Sequence, residues 1–124
     1  MSDQKTTLDE LRAQIQRFVD ERNWQQFHAP KSLAMSVSIE AAELMEHFQW
    51  LTLEESRQVI SDADRMDQIR DELADVLCYL LALSNVLEID IASAFNAKMK
   101  KNVAKYPVER FRDRYGYDDP RLDS

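Results

Sequence analysis

Two pairs of carboxylates hold the chemistry this chain can do. Glu40 and Glu43 lie in Ile39-Glu40-Ala41-Ala42-Glu43-Leu44, and Glu72 and Asp75 lie in Asp71-Glu72-Leu73-Ala74-Asp75-Val76. Members of each pair are three residues apart, which puts both on one helix face, and neither pair has a Lys or Arg one turn away in its own segment. A carboxylate on a buried helix face is paired, protonated or a metal ligand, because an unpaired buried charge is costly. Four oxygen ligands with no Cys or His at matching spacing suit a hard divalent cation, Mg²⁺ with Mn²⁺ as its substitute, better than zinc.

The elements that position these groups read as helices. The chain has one Gly and three Pro in 124 residues, little turn material, and is rich in helix formers, so an all-α protein is expected. Leu33, Val37, Glu40, Leu44 and Phe48 fall on one stripe of a helix spanning about 31–49, with Glu43 at its edge. In a second helix, about 65–87, Asp75 shares a face with Glu72 and Tyr79. Its run Val76 to Leu83 is apolar all round, so this helix is expected to be central and buried. Asp71, one turn from Asp75, is a rival ligand. His47 reads as a hydrogen-bonded neighbour and Glu46 as solvated.

Other elements follow from their caps. Thr7-Leu8-Asp9-Glu10 and Thr52-Leu53-Glu54-Glu55 have the capping-box form, opening a first helix to about residue 22 and a short one to about 60. Between the first two helices, Trp24-Gln25-Gln26-Phe27-His28-Ala29-Pro30 reads as an ordered aromatic loop. Asp90 is a good N-cap for a last helix with Ile91, Ala94 and Phe95 as its apolar face, stopped by Pro107. The whole of 1–124 is expected to be one domain with its core at about 7–107 and an irregular tail at 108–124.

That last helix changes from apolar to basic. Lys98, Asn102 and Lys105 lie at i, i+4 and i+7, and residues 98–105 hold four Lys and no acid. A net charge of −7 argues against a partner built on a nucleic-acid backbone. A local basic face beside an acidic cation site suits a polyphosphate instead: cations hold some phosphate oxygens, and Lys and Asn hold the rest. The single Cys78 sits in the most apolar segment and reads as a core residue of a protein in a reducing compartment. No apolar run has the length of a membrane span and the N-terminus lacks a secretory pattern, so a cytoplasmic protein is expected.

Taken together, Glu40-x-x-Glu43, Glu72-x-x-Asp75 and Lys98-x-x-x-Asn102-x-x-Lys105-Tyr106-Pro107 resemble the MazG-like all-α nucleoside triphosphate pyrophosphohydrolases. Residues 24–30 and Phe48-Gln49-Trp50 look most like the dCTP pyrophosphatase branch, and the likeness covers roughly residues 8–110. The resemblance implies a four-helix core that assembles as a homodimer or a dimer of dimers. It also implies Mg²⁺-dependent cleavage of a dNTP, dCTP or a relative first, into the monophosphate and pyrophosphate, to sanitise the nucleotide pool. Carried over by position, Glu40, Glu43, Glu72 and Asp75 are the metal ligands, with Glu43 the first choice of general base. Lys98, Asn102, Lys105 and Tyr106 contact the phosphates, Trp24 and Trp50 flank the base, and Tyr79 lies near the sugar and phosphates. His28 stands between loop structure and base recognition.

Plainer readings compete. Charged residues on helices are usually solvated, Trp24 and Trp50 would serve equally as core rings, and the Lys-rich face would serve as surface. A di-iron carboxylate bundle needs two Glu-x-x-His motifs, but Leu44 precedes His47 and Gln25 precedes His28 at that spacing. A non-catalytic helical dimerisation module is the remaining rival, supported by the apolar run Val76 to Leu83.

Overall fold

In a computed structural model the described residues are 1–114, and their regular structure is helical, with no strand among them. The helices are α1 (Leu8–Glu21), α2 (Pro30–Glu46), α3 (Leu53–Gln58), α4 (Ala63–Val86), α5 (Ile91–Lys105) and α6 (Val108–Phe111). Short 3₁₀ turns at Gln25–Phe27 and Val59–Ser61 lead into α2 and α4. The all-α expectation is borne out.

Thr7, Thr52 and Asp90 start their helices where the sequence places them, and Asp62 starts α4 at Ala63, ahead of the expected start at about 65. Thr7 Oγ1 accepts from the Glu10 N–H at 3.2 Å while the Thr7 N–H donates to Glu10 Oε2 at 2.7 Å. The same reciprocal pair joins Thr52 and Glu55, each bond at 3.1 Å. Asp62 and Asp90 accept from the Arg65 and Ser93 N–H groups at 3.1 and 3.0 Å, opening α4 and α5. These bonds satisfy amides that the first turn of a helix leaves without partners. Asn23 closes the turn after α1 at φ 51°, a left-handed conformation that Asn tolerates better than most residues. Pro30 stands in the first turn of α2, where its missing N–H costs nothing.

Contacts divide the chain into two compact units, Met1–Ile89 and the segment from Asp90 onward. In the first, α4 is the central element, packing most extensively on α2 and next on α1. The core is Val19 of α1, Leu33 of α2, and Ile69, Leu81 and Ala82 of α4. Burial of Leu33 and half-burial of Val37, Glu40, Leu44 and Phe48 put the expected stripe of α2 on its inner side.

Three expectations need correction. Regular α2 ends at Glu46, not near residue 49, and tight turns carry the chain through Gln49 and Trp50. Helix α4 is central but not buried all round: Leu73, Leu77 and Leu80 are exposed, because α1 and α2 cover only one side of it. In the second unit, residues 108–111 of the expected tail form the short helix α6 after Pro107. The rest of the expected tail, 115–124, lies outside the described residues. Phe95 of α5 is exposed and only Ile91 of the expected apolar face is half-buried, since so short a unit has little core of its own.

Candidate functional site

The α2–α4 contact brings the two acidic motifs together. Carboxylate oxygens of Glu40 and Glu43 on α2 and Glu72 on α4 lie within 4.8 Å of one another. Among the described residues no ion pair involves Glu40, Glu43, Glu72 or Asp75. Glu40 Oε2 and Glu72 Oε2 are buried without a hydrogen-bond partner. Burial, then the hydrogen bond and charge of Glu43, then the charges of Asp75 and Glu72, lift Glu40 from 4.5 to about 7. Glu72 is raised as well, first by burial and next by Glu43. Like charges held this close, with two orphaned acceptors, form a site for a cation with oxygen ligands, and the donor set fits a hard divalent ion.

Asp75 lies outside that trio but acts on both Glu40 and Glu72 by its charge, and it is exposed. It faces a cleft of about 630 Å³ between α1 and α4. Along the α1 side the cleft is lined by Leu11, Ile15, Phe18 and Val19 and then by Trp24 and His28; along α4 it is lined by Asp75, Cys78, Tyr79 and Leu81 among others. Trp24 meets Phe18 edge to face, ring centroids 5.5 Å apart at 78°, and Arg22 covers the other ring with its guanidinium 3.8 Å from the Phe18 centroid. A mostly apolar slot, with aromatic rings along one wall and the Asp75 carboxylate on the other, can take a flat ring joined to a charged group. Burial and Asp75 push the Cys78 thiol up, which keeps it protonated and unreactive.

Several expected residues stand apart. Trp50 is 87 % exposed and does not line the cleft that holds Trp24, His28 and Tyr79. Asp71 is exposed and outside the carboxylate trio, and His47 is the C-cap of α2 and not one of the trio. Lys98, Asn102, Lys105 and Tyr106 belong to the second unit. There the Tyr106 N–H donates to the Asn102 carbonyl at 2.8 Å, and Tyr106 packs edge to face on Phe111 at 5.1 Å. Phe18, at helical spacing with Leu11, Ile15 and Val19, lines the cleft with them, and nothing in that spacing separates a core ring from a cleft ring.

The MazG-like family model matches residues 35–117, a span that contains all four carboxylates. The chain belongs to the MazG-like family. It is 39 % identical to dCTP pyrophosphatase 1 of Bos taurus over 103 residues, 82 % of this chain and 60 % of that protein. The identity to dCTP pyrophosphatase 1 of Homo sapiens is the same, over the same shares. This MazG-like chain thus spans 60 % of the length of the curated relatives it matches. A solved pyrophosphatase from Archaeoglobus fulgidus superposes with a TM-score of 0.76 at 41 % identity, covering 86 % of this chain and 98 % of that one.

Proposed function

We propose that this chain is a Mg²⁺-dependent nucleoside triphosphate pyrophosphohydrolase, with dCTP or a related cytosine nucleotide as its first substrate. The observation that carries the reading is the trio Glu40, Glu43 and Glu72, with two buried oxygens that lack partners, in a MazG-like chain whose relatives include dCTP pyrophosphatases. The pyrophosphatase name of the Archaeoglobus structure supports the same reaction class.

Glu40, Glu43 and Glu72 would hold the cation, with Asp75 adding charge at the cleft side. Bound there, Mg²⁺ would offset the charge of the triphosphate and polarise the α-phosphoryl group. Trp24 and Tyr79 line the cleft where the base and sugar would lie, Trp24 offering a stacking face and His28 a hydrogen-bonding edge. Glu43 takes the proton of the water that attacks the α-phosphorus, as the bond to the bridging oxygen breaks and pyrophosphate leaves. Lys98, Asn102, Lys105 and Tyr106 would take phosphate charge, and Trp50 would flank the base. A homodimer or homotetramer working on the cytoplasmic nucleotide pool, with no nucleic-acid or membrane partner, completes the reading. No single described helix is long and apolar enough to cross a membrane.

The test is pyrophosphate release from a panel of dNTPs and NTPs with Mg²⁺, beside an EDTA control and Glu43→Gln. Release that both controls abolish, strongest for dCTP, is expected. A folded sample that turns over no nucleotide leaves the helical interaction module, which the uncovered side of α4 favours. Turnover undiminished in EDTA removes the metal from the reaction.

A further inference from the structure

The two walls of the cleft meet through one polar contact. Arg12 of α1 donates from Nε to Asn85 Oδ1 at 2.9 Å, and Asn85 of α4 donates from Nδ2 to the Arg12 carbonyl at 3.0 Å. Both residues are half-buried. Among the described residues no other side-chain hydrogen bond or ion pair joins α1 to α4; the buried residues of the two helices that line the cleft are the apolar Val19, Leu81 and Ala82.

Apolar contact is non-directional and tolerates sliding, whereas a reciprocal pair of hydrogen bonds holds only in one register. Rotating or sliding α1 by a fraction of a turn breaks both bonds and strands polar groups that are partly out of water. The pair sits toward the start of α1 and in the last turn of α4. At 1.5 Å per residue, Phe18 is about 9 Å along α1 from Arg12, and Asp75 is about 15 Å along α4 from Asn85. The tie is therefore at the end of the cleft remote from the carboxylates, with the aromatic wall and Asp75 at the other. A small change of angle at the tie becomes a larger change of width at the mouth.

We propose that Arg12 and Asn85 are a positioning pair that fixes the width of the cleft and so selects which base it accepts, without touching substrate. This rests on the nucleotide reading above. The cation trio is built from α2 and α4, so loosening α1 leaves it in place. Substrate selection should relax while the chemical step persists.

The experiment compares Asn85→Leu, which keeps volume and removes both bonds, with Asn85→Asp, which keeps the acceptor for Arg12 and loses the donor. Steady-state kinetics on the four dNTPs with Mg²⁺ are paired with acrylamide quenching of Trp24 in a Trp50→Phe background, a readout that needs no nucleotide. For Asn85→Leu, KM for the preferred dNTP rises about fivefold or more with kcat within about twofold, the range set by losing one or two net hydrogen bonds in binding geometry. The ratios among the four dNTPs contract, Trp24 quenches more readily, and Asn85→Asp lies between the two. Should Asn85→Leu fail to fold, Asn85→Asp carries the same comparisons. Unchanged quenching, or a fall in kcat with KM and selectivity intact, overturns the proposal even where Tm has dropped. If the unsubstituted protein turns over no dNTP, the nucleotide reading fails, and the quenching alone then decides whether the pair sets the cleft.

Discussion

Glu40 and Glu72 face each other from α2 and α4, each with a buried Oε2 that no hydrogen bond satisfies. Without a cation, the cheapest way to relieve such a pair is a proton, and Glu40 is lifted to about 7 accordingly. A carboxyl raised on folding binds its proton more tightly in the native state. Its contribution to stability is complete below the ordinary value of 4.5 and is lost as pH rises through about 7. Metal-free protein should therefore show a falling Tm between pH 5 and 8, and Mg²⁺ should restore more of it at pH 8 than at pH 5, because cation and proton compete for the same oxygens. Thermal melts in EDTA and in Mg²⁺ across that range check this; a metal-free Tm that climbs steadily with pH contradicts it.

Replacing Glu40 by Gln separates function from stability. The amide removes a buried charge that has no partner, so metal-free Glu40→Gln should melt at or above the temperature of the unsubstituted protein at pH 8. Pyrophosphate release should drop at least ~100-fold, since removing even an outer partner of a metal ligand costs 10–100-fold. The two effects have opposite signs, which a general loss of folding cannot produce.

How far the sequence could be read depended on whether a signal was local. Thr7, Thr52 and Asp90 start their helices by bonds to residues three positions on, so their pattern is complete within a few letters. The pairing of Glu40 with Glu72 was legible because both lie on inner helix faces, and periodicity reports faces. Three features were not legible. The openness of α4 at Leu73 depends on how much cover α1 and α2 give, the place of Phe18 in a cleft depends on what faces it, and Arg12 with Asn85 is a contact between distant residues whose types are unremarkable on helices.

Trp24 should carry base affinity. Its ring lies in the cleft against Phe18 and is partly exposed there, as a stacking platform must be. Stacking of one base on one aromatic ring contributes about 1–3 kcal/mol, so Trp24→Ala should raise KM for a dNTP ~10-fold or more, with Trp24→Phe recovering part of the loss. Competition by the free pyrophosphate product, which has no base, should be unchanged in the same variants.

The capping box at Thr52 predicts a purely structural cost. Thr52→Ala removes the acceptor for the Glu55 N–H and frees the Glu55 carboxylate from its bond to the Thr52 N–H. A loss of about 1 kcal/mol in urea unfolding is expected. Mg²⁺ affinity should not change, because the box lies on α3, outside the carboxylate trio.

The uncovered side of α4 bears on assembly. Leu73, Leu77 and Leu80 follow one another at i, i+4 and i+7, a single apolar stripe, and Leu73 is 59 % exposed. On α2, Met35 and Ile39 are 57 % exposed. An apolar stripe of that length on a soluble helix is ordinarily covered by another surface, and a second copy of the chain offers one of the same character. Light scattering should give the unsubstituted protein the mass of a dimer or tetramer. Leu73→Glu with Leu80→Glu should lower it to that of one chain; neither residue lines the cleft or joins the carboxylate trio, so the site itself is left intact. If activity falls with the mass in that double variant, the neighbouring chain completes the site; if activity stays, each chain works alone and association serves only to cover the stripe.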